Sequence, residues 1–243
     1  MIPKLSFFLY HCKKRIKKAC LLLLRLAYDL PQINLESIVK SAIHIDAPIL
    51  EDICLPPYYG PKDHDDFTPL MKIILFFQPK IILELGTAYG NTVTNICRQY
   101  PDVKIYTVNA LVNEQTGFFT TFNLTKEEIG RVYRVFGFAD QVVQIYENTL
   151  NMDLSKYLNG QIVDIVIIDA CHDTQYVIND FLKVKPFIRP GGIVLFHDTY
   201  PSMKSHLIGS YTACMMLRRR GYDIRHIRNT WWGFWKQKKK LHL

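Results

Sequence analysis

Short apolar runs alternate along this chain with stretches in which apolar residues recur every three or four positions. The runs at residues 81–85, 103–108, 141–146, 162–168 and 193–196 are rich in isoleucine and valine, a pattern that predicts strands buried on both faces of a parallel sheet. Between them, residues 70–77 and 91–100 predict helices, and residues 175–188 place Val177, Phe181, Val184 and Ile188 on one helical face. Thr125 and Glu128 have the spacing of a capping box and open a helix predicted through Phe136, which Gly137 can close. A last helix is predicted over residues 202–220, ended by Gly221 and carrying Arg218, Arg219 and Arg220 at the negative end of its dipole. Residues 222–227 and 230–235 predict two closing strands joined as a hairpin. This alternation predicts an α/β domain over residues 63–243, a doubly wound and mostly parallel sheet finished by an antiparallel pair.

Residues 1–62 lack that rhythm and predict a basic amphipathic helix followed by an irregular lead-in rich in proline. Lys13, Lys14, Arg15, Lys17 and Lys18 precede an apolar run that Arg25 interrupts, too short to span a bilayer and lacking the cleavage site of a signal peptide. Drawn as a helix, the segment puts Ile16, Cys20, Leu23, Ala27 and Leu30 on one face. Two readings follow: peripheral contact with an anionic membrane surface, or an accessory helix packed on the domain or on a second subunit of a homodimer. The Pro56–Pro61 stretch and His64-Asp65-Asp66 lead toward the first strand either as a lid over the crevice or as turns and helix caps.

Composition narrows the picture. With 243 residues, 49% of them hydrophobic, the chain supports one sizeable domain and an extension. Six cysteines show neither zinc-ligand nor disulfide-framework spacing, which predicts thiols in a reducing, cytoplasmic compartment. The net charge of +8 gathers in runs near the chain ends rather than interleaving with aromatics on one element, and no Asn/Asp-Pro-Pro-Tyr-type motif for a flipped base is present, so nucleic acid is not the expected partner.

Chemistry concentrates where the predicted strands end. After residues 81–85 comes Gly86-Thr87-Ala88-Tyr89-Gly90, a turn whose glycines let backbone approach a ligand and whose following helix, capped by Asn91 or Thr92, offers free N–H groups. A dinucleotide fingerprint needs Gly-x-Gly-x-x-Gly, and here Glu84 lies two residues before the first glycine, where it repels phosphate and suits an ammonium group. The next strand ends at Asn109, where a carboxylate usually takes the ribose hydroxyls; an amide can still hydrogen-bond a hydroxyl, and Glu114 lies in the following loop. A loop at residues 111–124 with Phe118, Phe119 and Phe122 is placed to overhang the pocket. Two later strands end in Asp169 and in His197-Asp198. If these strands are neighbours, the clustered carboxylates repel each other unless a divalent cation such as Mg²⁺ joins them; otherwise Asp169 touches only a cofactor, His197 faces the core and Asp198 caps the next helix.

At Glu84 and the glycine turn the chain resembles motif I of the class I S-adenosylmethionine (SAM) methyltransferases, and the resemblance implies their Rossmann-like seven-stranded fold with SAM as cofactor. It implies SAM contacts for Glu84, Gly86, Thr87, Ala88, Tyr89, Gly90, Asn109 and Asp169, with adenine contacts at Asn148 and Thr149 after the third strand. Ile-Asp-Ala-Cys-His at 168–172 and Pro-Gly-Gly-Ile-Val-Leu-Phe-His-Asp-Thr at 190–199 resemble the paired motifs of metal-dependent O-methyltransferases acting on sugars and sugar-bearing natural products. Carried over, these make Asp169, His197 and Asp198 ligands of Mg²⁺ or Mn²⁺, with His172 as the base and a small-molecule or glycan hydroxyl as acceptor. His197 stands where relatives often carry an acid, and imidazole favours Mn²⁺ or Fe²⁺ over Mg²⁺. Two other functions compete: a nicotinamide-dependent oxidoreductase, opposed by Glu84, the glycine spacing and Asn109, and a binding or assembly module that keeps the fold without transfer.

Overall fold

The computed structural model describes residues 30–40, 42–50, 66–114, 123–199 and 208–238. The basic N-terminal segment, His64, Asp65 and the aromatic loop residues Phe118, Phe119 and Phe122 lie outside the described residues. Among the described residues eight strands form one sheet: β1 (Gln32–Ile33), β2 (Ile81–Leu85), β3 (Lys104–Val108), β4 (Val142–Ile145), β5 (Val163–Ile168), β6 (Ile188–Phe196), β7 (Arg225–Ile227) and β8 (Gly233–Lys236). The described α-helices are α1 (Phe67–Phe77), α2 (Asn91–Gln99), α3 (Arg131–Val135), α4 (Ser155–Leu158), α5 (Thr174–Val184) and α6 (Ile208–Arg219).

The spatial order is β1-β7-β8-β6-β5-β2-β3-β4. Every neighbouring pair is parallel except those of β8, which runs antiparallel to both β6 and β7. The closing hairpin therefore forms, with its second strand inserted between β6 and β7. The expected count of seven is exceeded by one because Gln32 and Ile33, in the irregular lead-in, pair with His226 and Ile227 and extend the edge.

Strand alternation sorts the core into two layers. Leu83 and Leu85 join Tyr106, Val166 and Val194 under α4, α5 and α6, while Ile82, Ile105, Ile165 and Ile193 pack against α1, α2 and α3. Burial on both faces explains why these strands read as continuous apolar runs. Chain order runs outward from β2 to β4 on one side and from β5 to β6 on the other, so the carboxyl ends of β2 and β5 flank the switch point at which such sheets bind ligands.

Several boundaries differ from expectation for local reasons. The Thr125–Glu128 capping box forms, with Thr125 N–H donating to Glu128 Oε2 at 2.9 Å, yet it closes only turns: Gly130 in the left-handed region (φ 70°) interrupts the backbone before the five residues of α3. α2 begins after Gly90 rather than being capped by Asn91 or Thr92. α5 ends at Val184, and Lys185–Phe187 tightens into a 3₁₀ turn carrying Pro186. The Pro190-Gly191-Gly192 turn falls inside β6, where the register against β5 shifts. Among the described residues no helix is long and apolar enough to cross a membrane.

Candidate active site

The turn after β2 is held mainly by the end of β3. Gly86 and Thr87 N–H both donate to Val108 O, at 2.9 and 3.2 Å, Ala88 N–H donates to Asn109 Oδ1 at 3.0 Å and Gly90 N–H to Thr87 O at 2.8 Å. The N–H groups of the turn itself are thus spent on the fold. Gly86 is required by a neighbour rather than by a ligand: with φ at 108°, a Cβ there would lie 2.1 Å from the Asp169 carbonyl oxygen. α3 fixes the outer rim, Gly130 N–H donating to Ala88 O and Val132 N–H to Tyr89 O, and the Arg131 guanidinium lies 5.5 Å above the Tyr89 ring.

Beneath the turn runs a buried polar chain. Thr107 Oγ1 donates to Glu84 Oε2 at 2.5 Å, Thr87 and Thr107 share a hydroxyl contact of 2.7 Å, Gln144 Nε2 donates to Thr87 Oγ1 at 2.9 Å and Tyr133 OH to Gln144 Oε1 at 3.1 Å. Burial pushes the Glu84 carboxyl up to about 8, with the Thr107 hydrogen bond opposing and the Asp169 charge adding to the shift. Burial thus favours the uncharged form of the Glu84 carboxyl, and a cation placed beside it would favour the carboxylate.

Asn109 keeps its amide on backbone, Oδ1 accepting from Ala88 and Nδ2 donating to Ala110 O at 2.9 Å. Glu114 is exposed and meets the site through its carbonyl, which accepts from Asn148 Nδ2 at 2.7 Å. Asn148 Oδ1 accepts from Leu150 N–H at 2.9 Å, and Thr149 O accepts from Lys183 Nζ at 2.7 Å. The two residues expected near adenine thus tie the end of β4 to the loop after β3 and to α5.

At the carboxyl ends of β5 and β6 four side chains converge. Asp169 N–H donates to Leu85 O at 2.8 Å and His197 N–H to Ile168 O at 3.0 Å, so the sheet ladder itself sets both strand ends side by side. One ligand atom from each of Asp169, His172, His197 and Asp198 lies within 4.8 Å of the others. His172 Nε2 is 2.5 Å from Asp198 Oδ2 and 3.5 Å from Asp169 Oδ1; His197 Nδ1 is 3.0 Å from Asp169 Oδ1 and 3.4 Å from Asp198 Oδ1. Asp198 is 1% exposed and adopts a left-handed backbone (φ 57°), strain of about 1–3 kcal/mol that the surrounding packing sustains.

The electrostatics are those of anions and imidazoles forced together. Burial alone would lower the His172 imidazole, but Asp198 and Asp169 outweigh it and lift its pKa to about 10. His197 is raised well above the ordinary imidazole value against the same burial effect, by Asp169, Asp66 and Asp198. Desolvation disfavours the charged form of Asp169, and the two imidazoles reverse this, holding it below the usual carboxylate range. Asp198 Oδ1, His197 Nδ1 and both His172 nitrogens are buried with no partner in hydrogen-bond geometry. Close approach without hydrogen bonds, from two carboxylates and two imidazoles, fits a shared divalent cation.

Asp66, read from sequence as part of a lid or of a helix cap, and Trp232 complete this edge. Asp66, just ahead of α1, has Oδ1 3.0 Å from His197 Nε2, and its carbonyl accepts from Trp232 Nε1 at 2.7 Å. Trp232 packs at 4.6 Å between centroids on the His197 ring. Asp66 was visible only as one member of an acidic pair before a helix. Asp180, fully buried on α5 beside Thr149 and Asn179, was passed over, although it lies three residues after Val177 on the buried stripe.

Residues 83–199 match the family model described as a methyltransferase domain. Among solved structures, a Staphylococcus aureus protein provisionally assigned as a caffeoyl-CoA O-methyltransferase aligns with TM-score 0.53 and 16% identity over 70% of this chain and 80% of its own. TomG, an O-methyltransferase of Streptomyces achromogenes involved in tomaymycin synthesis and determined with SAM, aligns with TM-score 0.50 and 18% identity over 70% and 78%. An O-methyltransferase of Bacillus cereus in complex with SAH aligns with TM-score 0.50 and 17% identity over 72% and 82%. At these identities the likeness is one of fold.

Proposed function

Residues 83–199 form a methyltransferase domain of the class I SAM-dependent family, and from that premise we propose that the protein transfers a methyl group from SAM to a hydroxyl of a sugar-containing or other small-molecule acceptor, assisted by a divalent cation. The observation that carries the reading is the convergence of Asp169, His172, His197 and Asp198 at the sheet edge that also bears the glycine turn. The solved O-methyltransferases bound to SAM or SAH support the cofactor through shared fold.

Glu84 beneath the turn is the group for the ammonium of SAM, since a cation there favours ionisation of a carboxyl that burial otherwise keeps protonated. Asn109 uses one lone pair and one N–H on backbone, and the remaining lone pair and N–H serve ribose hydroxyls. Asn148 and Thr149 shape the adenine end. Asp169, His197 and Asp198 hold the cation, and their imidazole nitrogen favours Mn²⁺ or Fe²⁺ over Mg²⁺. When bound, such a cation supplies Lewis acidity that lowers the pKa of an acceptor hydroxyl. With Asp169 and Asp198 holding the cation, its charge would offset the carboxylates that otherwise keep His172 protonated, and the neutral imidazole would take the hydroxyl proton at Nε2, which faces both of them. Asp169, whose side chain is 29% exposed, is the side from which an acceptor reaches the cluster. The remaining catalytic contribution is orientation of acceptor oxygen and methyl carbon in line.

Isothermal titration with SAM, with and without Mn²⁺, followed by methyl-transfer assays on sugar hydroxyls, tests this reading. SAM binding together with transfer that EDTA abolishes is the expected result. Transfer unaffected by EDTA removes the cation from the mechanism. Absence of SAM binding under every condition replaces the enzyme with a binding or assembly module of the same fold.

A further inference from the structure

His197 can bind a cation through Nδ1 only in the tautomer that leaves this nitrogen unprotonated, and nothing on its own strand fixes that choice. The partner of the opposite nitrogen comes from far away in the chain. Asp66 occupies the residue before α1, where an aspartate ordinarily accepts hydrogen bonds from its own helix, yet its side chain makes no such cap. It reaches across 131 positions of sequence to His197 Nε2 at 3.0 Å. The aspartate is held in place by Trp232, which donates to its carbonyl at 2.7 Å and covers the imidazole it serves. On the other side of the ring, Nδ1 is buried, faces oxygens of Asp169 and Asp198 at 3.0 and 3.4 Å, and has no hydrogen-bond partner.

We propose that Asp66 is a positioning residue for the cation site: its carboxylate accepts the Nε2 proton of His197, fixes the ring and its tautomer, and turns the Nδ1 lone pair into the space shared with Asp169 and Asp198. This rests on the cation reading of the four-residue cluster and adds to it a residue outside the matched segment, contributed by the entry to α1. A carboxylate behind a ligating imidazole orients it and increases its basicity, and loss of such a partner typically costs tenfold to a hundredfold in metal affinity. It also explains how a histidine works where an acid would need no such support: a carboxylate ligand has no tautomer to fix.

Mn²⁺ binding to the full chain, by titration calorimetry and by electron spin-echo measurement of ¹⁴N coupling to the bound ion, is the test. Wild type is expected to bind Mn²⁺ with an imidazole nitrogen signature. Asp66→Ala should weaken binding about tenfold or more and diminish that signature, while Asp66→Asn, whose amide oxygen still accepts the Nε2 proton, should lose less. In a His197→Asp background, Asp66→Ala should change affinity by less than about twofold. Equal weakening in both backgrounds would mark a general structural effect and overturn the positioning role, as would unchanged binding in Asp66→Ala. If wild type binds no Mn²⁺, the cation reading fails and this inference with it; if wild type binds but Asp66 is indifferent, only the inference fails.

Discussion

Asp180 and Glu84 are two carboxyls buried in one molecule, and only one was marked by its place in a motif. Glu84 stood out because it precedes a glycine turn; Asp180 lay hidden within a helical stripe whose apolar members drew the eye. Burial of Asp180 pushes its pKa up to about 7, against hydrogen bonds from Thr149 and Asn179 and the Lys183 charge, and its Oδ2 has no partner. The folded pKa lies above the unfolded value, so the unfolded chain releases this proton first and stability falls as pH rises from about 4 to about 7. The ceiling on that loss is about 4 kcal/mol at neutral pH. Asp180→Asn, which mimics the protonated acid, should therefore raise the midpoint of urea unfolding by several times more at pH 8 than at pH 4.5. An equal effect at both values would show that the carboxyl does not titrate across this window. The ligand candidates Asp169, His197 and Asp198 and the candidate base His172 could be named because they sit at or just after strand ends, where such sheets place their chemistry; Asp66 drew only a lid or cap reading, because its partner lies at the end of another strand.

At the scale of elements, the central strands were legible because burial on both faces writes an uninterrupted apolar run, whereas helix ends moved wherever a single glycine or proline intervened. Gly130 shortens α3, and the Pro190-Gly191-Gly192 sequence bends β6 instead of preceding it. The glycine turn was legible as a turn, but its cause lies in another element. Gly86 must be glycine because the chain leaving β5 passes against it, which links the glycine turn directly to Asp169. Gly86→Ala adds a Cβ in a left-handed backbone and a clash with a carbonyl that cannot rotate away, for a combined cost on the order of 2–4 kcal/mol. The expected outcome is a lower unfolding midpoint together with loss of both SAM and Mn²⁺ binding. Loss of SAM binding alone, with Mn²⁺ affinity intact, would show that the two strand ends are mechanically independent.

Across the whole molecule, the lead-in proves to be part of the fold at the residues the structure describes. Leu30 joins one core layer, Ile38 and Val39 the other, and Gln32–Ile33 closes the sheet edge beyond β7. A two-residue strand paired with a partner nearly two hundred positions away leaves no periodic trace, which is why proline content alone shaped the expectation of an irregular segment. Polar side chains of α2 complete the attachment. Asn95, itself buried, both donates to and accepts from the backbone of Leu50, at 3.0 and 2.8 Å, Gln99 does the same for Ala47, and Arg98 donates to Pro48 O at 2.5 Å. These bonds satisfy the backbone of a segment without regular structure, so removing one should open the segment locally rather than unfold the sheet. Asn95→Ala leaves the Leu50 N–H and C=O without their partners, at a cost of about 1–3 kcal/mol. Hydrogen exchange should then accelerate at the Leu50 and Ala47 amides by tenfold or more, while the amides of β2 and β5 keep the protection of global unfolding. Uniform acceleration across both sets would mean that the strap and the sheet form one cooperative unit, with the lead-in as much a part of the domain's stability as its central strands.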